Sequence, residues 1–173
     1  MKIYNYIKLF IFIAFSVLLF IFKEELVADL NYFVGSLILA FGVENIIVIV
    51  ITQRRKSIRR IRFSFSLFEI ILGLTILTAV KDFAYVCVMW AVWSLLRQSI
   101  DINEVFRGEL STVMSLIVLS QSIVSIVFSI MLILDQSEHH AITHLYLLIA
   151  ELMVIALPPV VDELRYQYKK NKR

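Results

Sequence analysis

Cysteine, proline and glycine are scarce in this chain of 173 residues, which contains one, two and four of them, respectively. The single cysteine, Cys87, can form neither an intrachain disulfide nor a cysteine-based zinc site, so neither feature holds the fold together. So few glycines and prolines leave little turn-forming sequence for a second, water-soluble domain. We therefore predict one compact domain.

Charged residues are also few. They make up 18% of the chain and hydrophobic residues make up 60%, whereas soluble domains contain roughly 25% and 45–50%, respectively. On a small soluble protein, the surplus of apolar side chains would form exposed patches that drive aggregation. The composition therefore predicts an integral membrane protein with the lipid bilayer as its solvent.

Six apolar runs are long enough to cross the hydrocarbon core, which takes about 20 residues of helix. They cover residues 3–22, 30–52, 63–80, 83–100, 111–134 and 141–161. Runs such as IFIAFSVLLFIF are continuously apolar, whereas the strands of a membrane barrel alternate apolar and polar residues. Backbone polar groups must be satisfied internally in lipid, so the runs are predicted to be helices. The predicted fold is an all-α bundle of six transmembrane helices arranged as three hairpins.

Basic residues indicate how this bundle is oriented. Cytoplasmic loops of membrane proteins carry an excess of lysine and arginine. Of the 17 such residues here, all but Lys23 and Lys81 fall on one side of the predicted spans. This distribution requires an even number of spans and places both termini on the cytoplasmic side. We predict a multi-pass protein of the bacterial cytoplasmic membrane.

One loop on the cytoplasmic side, QRRKSIRRIR, is dense in positive charge and is called the basic segment below. Its cations are Arg54, Arg55, Lys56, Arg59, Arg60 and Arg62. A short basic loop beside two spans binds anionic lipid headgroups at about 1 kcal/mol per basic residue. We predict binding to the lipid surface rather than to nucleic acid. Docking of a partner protein is the alternative that the sequence leaves open.

Three carboxylates fall inside the predicted spans, namely Glu44, Glu69 and Glu151. Ionisable residues in hydrocarbon are costly and mark ion pathways and proton relays. At 1.5 Å per residue, Glu69 and Glu151 lie about 15 Å from the outer boundary, where no basic residue is predicted. We expect desolvation to favour their protonated form. Facing a common cavity, the two would make a proton or cation site. Alternatively, each hydrogen-bonds a neighbouring helix and serves packing alone.

Arg97 has two predicted ion-pair partners. Arg97 and Glu44 lie at the same predicted depth, about 21 Å from the outer boundary, so they could pair across the second and fourth spans. Arg97 also precedes Asp101 by four residues on one helical face, where a local ion pair can form. Trp90 and Trp93 share the Arg97 face, which allows a cation–π contact of about 1 kcal/mol. Aromatic faces of this kind are more often packing or lipid-facing surfaces.

The fifth predicted span carries a seam of small polar residues. Ser115, Ser122 and Ser129 recur at intervals of seven residues. Small hydroxyl residues at this spacing allow two helices to approach closely, and close packing is what we predict. A hydrated path beside Glu151 is the alternative.

All three histidines lie near the outer end of the sixth predicted span. His140 and His144 are four residues apart and, with Glu138, could bind a divalent metal ion, although no fourth ligand is evident. The cluster could also sense acid, because histidine titrates near pH ~6.5. We expect a solvated loop and helix start instead.

Sequence motifs of enzymes are missing from the chain. It contains no glycine-rich phosphate loop, no paired-histidine zinc motif and no Gly-x-Ser-x-Gly elbow. We predict a non-enzymatic protein without a cofactor. Because a small bundle leaves packing faces open, we also expect a homo-oligomer or a complex with another membrane protein.

Glycines in the second and third spans carry a resemblance to a known family. Gly35 and Gly42 in VGSLILAFGVENII, and Gly73 in SLFEIILGLTIL, lie in repeated apolar hairpins. This arrangement resembles the HdeD-like acid-resistance membrane protein family, whose members are small six-span proteins of the bacterial inner membrane. The resemblance implies an envelope or acid-stress protein.

Three functional hypotheses follow from the sequence. The chain is a non-enzymatic stress protein of the HdeD-like type, or a small transporter, channel or transporter subunit. In the second case Glu69, Glu151 and Glu44 would bind protons or cations. The third hypothesis is a membrane subunit that docks to a larger complex through the basic segment.

Overall fold

The described part of the chain forms five long helices. The computed structural model describes residues 10, 13–18, 20–21, 29–51, 56–108, 110–135, 141–156, 158 and 160–161. The helices are α1 (Leu30–Ile51), α2 (Lys56–Ala79), α3 (Phe83–Phe106), α4 (Thr112–Leu134) and α5 (Ala141–Ile155). Residues 13–18 are helical as well, and no strand occurs in these ranges. The predicted all-α bundle is thereby confirmed.

A helix-capping residue and a glycine turn mark the two ends of α3, where it meets α2 and α4. Asp82 caps α3, because its side chain accepts hydrogen bonds from the backbone amides of Ala84 at 2.9 Å and Tyr85 at 3.3 Å. A carboxylate in this position satisfies amides that have no partner inside the helix. Beyond the other end of α3, Gly108 has a φ of +69°. Glycine adopts that backbone conformation without steric cost, and the chain turns there into α4.

Four of the helices, α1 to α4, are long and apolar enough to cross a membrane, and α5 is a shorter apolar helix. Three predicted spans differ in length from the helices that form. Helix α2 begins at Lys56 rather than at residue 63, and α3 continues to Phe106 rather than ending at residue 100. Both extensions are polar, so helical structure continues beyond the apolar runs. Helix α5 ends at Ile155, before Pro158. Most of the first predicted span, residues 3–22, lies outside the described residues.

Helix α1 packs most extensively on α2, and two glycines make this close approach possible. A Cβ atom at Gly35 would lie 2.9 Å from the carbonyl oxygen of Gly73, and one at Gly73 would lie 2.8 Å from that of Gly35. Helix α3 packs on α4, α4 packs on α5, and α3 also contacts α1 and α2. Helix α3 therefore occupies the centre of the bundle, where its Trp90 and Trp93 are among the largest fully buried side chains.

The closest pairs, α1 with α2 and α3 with α4, are joined at the same end of the bundle. We call this the basic end, because α1 and α3 end there and α2 begins there with the basic segment. The predicted hairpin of α2 and α3, joined at the opposite end, is packed less closely. The number of spans and the orientation in a membrane stay predictions.

Candidate functional site

A layer of buried polar side chains crosses the centre of the bundle. Glu69 on α2 and Glu151 on α5 have no exposed surface, and Glu44 on α1 is 6% exposed. Trp90, Trp93, Ser94, Arg97 and Gln98 of α3 are buried in the same layer. Helix α3 thus presents most of the hydrogen-bond donors for the two fully buried carboxylates, Glu69 of α2 and Glu151 of α5.

Glu69 accepts hydrogen bonds from two different helices. Asn45 Nδ2 of α1 donates to Glu69 Oε2 at 2.7 Å, and Trp93 Nε1 of α3 donates to Glu69 Oε1 at 3.0 Å. Arg97 Nη1 lies 3.6 Å from Glu69 Oε1 and completes the surroundings with an ion pair. Every one of these partners is a donor, so both oxygens of Glu69 act as acceptors.

Glu151 contacts polar side chains that lie about one turn earlier on α3. Trp90 Nε1 donates to Glu151 Oε2 at 2.6 Å, and Ser94 Oγ lies within hydrogen-bond distance of Glu151 Oε1. The four-residue spacing of Trp90 and Ser94 places both side chains on one face of α3. No basic residue in the described ranges forms an ion pair with Glu151. Both carboxylates therefore accept hydrogen bonds from α3, but only Glu69 has a basic residue, Arg97, as an ion-pair partner among the described residues.

The two tryptophans lie between the carboxylates and bring their surroundings together. The ring centroids of Trp90 and Trp93 are 4.8 Å apart, with the rings tilted by 52°. Trp93 also stacks on Phe41 of α1 at 5.4 Å. The indole pair thus has Glu151 at one nitrogen and Glu69 at the other. Sequence analysis favoured a packing or lipid-facing surface for these residues, and the structure buries them as polar donors.

The ion pair of Arg97 corrects the sequence prediction. Within the described ranges, Arg97 forms no ion pair with Glu44 or Asp101, and its partner is Glu69. The expectation that no basic residue reaches Glu69 was therefore also wrong. Depth had been counted along the backbone, and the long arginine side chain covers the difference of about 6 Å. The predicted cation–π contact does form, because the Arg97 guanidinium lies 5.2 Å from the Trp93 ring centroid.

Glu44 is buried beside this site but not joined to it. Both of its carboxylate oxygens lack a hydrogen-bond partner among the described residues. The next residue, Asn45, reaches Glu69 instead, because successive residues of a helix point about 100° apart. Only one of the two polar residues could therefore face α2 and α3.

The serines of the predicted seam on α4 face inward, whereas Ser120 of the same helix is exposed. Ser122, Ser125 and Ser129 are buried, Ser115 is partly buried, and the hydroxyl of Ser122 donates to Gln98 Oε1 on α3 at 3.0 Å. The Ser122 contact places that part of the seam in the α3–α4 interface, as expected for small residues that allow close packing. Ser129 lies close to the carboxylate of Glu151 on α5.

An ion-pair cluster lies at the basic end. Arg62 Nε is 2.5 Å from Glu104 Oε1, and Arg62 Nη2 is 3.9 Å from Asp101 Oδ1. The charge of Arg62, predicted to meet lipid headgroups or a partner, is thus compensated within the protein. Arg60 is exposed. Arg54 and Arg55, and the side chains of Lys56 and Arg59, lie outside the described residues, so their predicted lipid contact stays a prediction.

His144 lies in the bundle rather than in solvent, against the expectation of a solvated helix start. It is 1% exposed, it stacks on Phe83 with ring centroids 5.7 Å apart, and its Nε2 is 3.7 Å from Asp135 Oδ2. Glu138 and His140, the other predicted metal ligands, lie outside the described residues. The part of the chain that the structure describes contains no group of three or more His, Cys, Asp or Glu side chains placed to hold a metal ion.

Sequence reasoning missed two hydrogen-bond donors of the site, Asn45 and Ser94, and one acceptor, Gln98. Asn45, Ser94 and Gln98 were not singled out, although each is a polar residue inside an apolar run. A polar side chain in such a run is costly unless it has a partner, and that cost was the available signal.

The chain was also compared with models of protein families, with curated proteins and with solved structures. None of the three comparisons finds a match. The resemblance to the HdeD-like family therefore stays an expectation from sequence.

Proposed function

We propose that this protein is an integral membrane protein that crosses the bacterial cytoplasmic membrane six times, with both termini inside. Four apolar helices of sufficient length support this topology, and so do the large apolar side chains on their outer faces. Ile71 on α2 and Ile123 on α4, for example, are 64% and 63% exposed. Lipid would cover such faces, whereas in water so many exposed apolar side chains would cause aggregation.

Within the membrane, we propose that Glu69 and Glu151 bind protons as part of a small transporter, channel or transporter subunit. The observation that carries this proposal is the direction of their hydrogen bonds. Glu69 accepts from Asn45 and Trp93, and Glu151 accepts from Trp90. The Ser94 hydroxyl beside Glu151 can either donate or accept, so the direction is clearest at Glu69. A carboxylic acid that merely served packing would use its own proton to bond a neighbouring helix.

Charge balance supports the same proposal. Glu44, Glu69 and Glu151 are buried together, whereas Arg97 is the buried basic residue that meets one of them. A bare carboxylate in hydrocarbon is costly, so the remaining negative charge favours uptake of a proton or a cation. The cost of burial opposes the charged form of the carboxylates, whereas the indole and amide donors favour it. A carboxylate on which these two effects oppose each other can exchange a proton.

Proton flux through reconstituted vesicles tests the proposal. We expect the full chain to dissipate an imposed pH gradient, as reported by a pH-sensitive dye trapped inside. Glu69→Gln and Glu151→Gln should each abolish this flux while the protein remains monodisperse in detergent. Asp29→Asn, which neutralises an exposed carboxylate before α1, is the matched control and should leave the flux unchanged.

Three outcomes would contradict these proposals. Flux that persists in both glutamine variants would show that these carboxylates carry no proton. An absence of flux from the unaltered chain, together with acid sensitivity of cells that lack it, would favour the envelope stress protein that the HdeD-like resemblance implies. Extraction of the chain from membranes by alkaline carbonate would contradict the membrane assignment itself.

A further inference from the structure

A polar cavity at the basic end reaches the surroundings of Glu69. It has a volume of about 50 Å³ and is lined by Asn45, Arg62, Phe65, Arg97, Ile100 and Asp101. A site that holds an ordered water needs on the order of 10–15 Å³ of such space and two to four polar partners. Four of the six lining residues are polar, so both conditions are met.

Arg97 supplies a second and independent observation. Its side chain is 7% exposed, and among the described residues its Nη1 atom has no hydrogen-bond partner. The ion pair with Glu69 at 3.6 Å is too long for a hydrogen bond. A buried donor of this kind is normally satisfied by a water molecule or a ligand. Arg97 is one of the residues that line the cavity, so this donor lies close to its wall.

The charges at the cavity bear on which species it admits. Its lining contains two positive charges, on Arg62 and Arg97, and one negative charge, on Asp101. Both arginines are paired with carboxylates: Arg62 with Asp101 and Glu104, and Arg97 with Glu69. Charges that are already compensated in this way are weak attractants for phosphate or another anion.

We propose that this cavity is a water-filled vestibule through which protons reach Glu69 from the basic end. Asn45 and Arg97 line the cavity and also contact Glu69, so the water would lie one side chain away from the carboxylate. A hydronium ion in the vestibule would give its proton to Glu69 and remain there as water. The reverse transfer would return the proton to water and leave Glu69 charged. The identity of the conducted species rests on the proposed function, whereas the access of water does not.

Single-cysteine variants test this access. Cys87 is the only cysteine, so Cys87→Ala gives a background that thiol reagents cannot modify. Asn45→Cys and Phe65→Cys place a thiol on two walls of the vestibule, and Asp101→Cys places one nearer its mouth. Ile47→Cys is the matched control, because Ile47 lies half a turn from Asn45 on α1 and is 52% exposed on the outer face. The probe is the silver ion, which travels in water, reacts with thiols and is small.

We expect silver ions added to one face of proteoliposomes to block the thiols at positions 45, 65 and 101 and to spare the thiol at position 47. Block is read as the loss of later maleimide labelling in denaturant. The anionic probe dicyanoaurate should react at position 101 more readily than at position 45. Using two wall positions keeps the test valid if one variant fails to fold, which size-exclusion chromatography would reveal.

Three results would decide against the vestibule. The first is block at position 101 without block at position 45 or 65, which means that water stops at the mouth. The second is equal block at position 47, which means that the probe enters through lipid. The third is faster reaction of dicyanoaurate than of silver at position 45, which would indicate an anion site. If silver enters as expected and no proton flux is found, the vestibule stands and the proposed proton function fails.

Discussion

The indole nitrogen of Trp90 lies 2.6 Å from the Oε2 atom of Glu151 and thereby joins α3 to α5 across 61 positions of the sequence. Three residues later on α3, Trp93 makes the equivalent contact to Glu69 of α2 at 3.0 Å. One helix therefore presents two tryptophans to two carboxylates on different neighbours. This arrangement explains why such polar groups are tolerated at the centre of an apolar bundle, since each has a partner.

Replacing Trp90 by Phe should weaken the link between α3 and α5. The ring keeps most of its packing, but Glu151 loses a buried donor, which costs about 1–3 kcal/mol. The expected result is a lower midpoint in unfolding by sodium dodecyl sulfate, followed by circular dichroism. Val92→Ala, on the exposed face of the same helix, is the control and should shift the midpoint less. Equal midpoints for Trp90→Phe and the unaltered chain would show that the hydrogen bond contributes nothing.

Arg97 and Glu69 should behave as a coupled pair. Arg97→Met leaves a buried carboxylate without its cation, and breaking a buried pair in this way typically costs about 3–5 kcal/mol. Adding Glu69→Gln should recover part of that loss, because the charge that needed compensation is then gone. A double-mutant cycle of unfolding free energies measures the coupling. Strictly additive effects would mean that the two side chains do not interact.

Gly73→Ala should separate α1 from α2. The new Cβ atom would lie 2.7 Å from the backbone nitrogen of Leu39 and 2.8 Å from the carbonyl oxygen of Gly35, and backbone atoms cannot move aside cheaply. Overpacking of this kind costs about 1–3 kcal/mol. Thermal unfolding in detergent should show a clear loss of stability for Gly73→Ala. Ser64→Ala, at an exposed position of α2, should show almost none. The close crossing would be contradicted by equal stability of the two variants.

Asp82→Ala should destabilise the start of α3. The substitution removes the side-chain acceptor for the amides of Ala84 and Tyr85, and loss of such a cap costs about 1 kcal/mol. Hydrogen exchange should become faster at these two amides and remain unchanged in the middle of α3. Asp82→Asn serves as the control, because asparagine caps helices about as well as aspartate. Faster exchange in the asparagine variant as well would point to charge rather than capping.

Much of the fold follows from short-range properties of the sequence. The apolar runs predict where helices α1 to α5 lie, because a long apolar segment without breakers has few alternatives to a buried or lipid-facing helix. The polar ends of α2 and α3 were missed, since helices continue past the apolar run wherever backbone hydrogen bonds can still form. The sequence also identified Glu69 and Glu151 as buried groups of interest, because charge is rare in such runs.

Amino-acid order alone therefore determined the helical class, the approximate helix positions and the presence of costly carboxylates in the interior. Only the tertiary structure decided which groups meet. Arg97 pairs with Glu69 rather than with Glu44, and Asn45 rather than Glu44 contacts Glu69. The two tryptophans act as hydrogen-bond donors to Glu151 and Glu69. The physical reason is that depth along a helix can be counted from sequence, whereas rotation about its axis and the reach of a long side chain depend on how neighbouring helices pack.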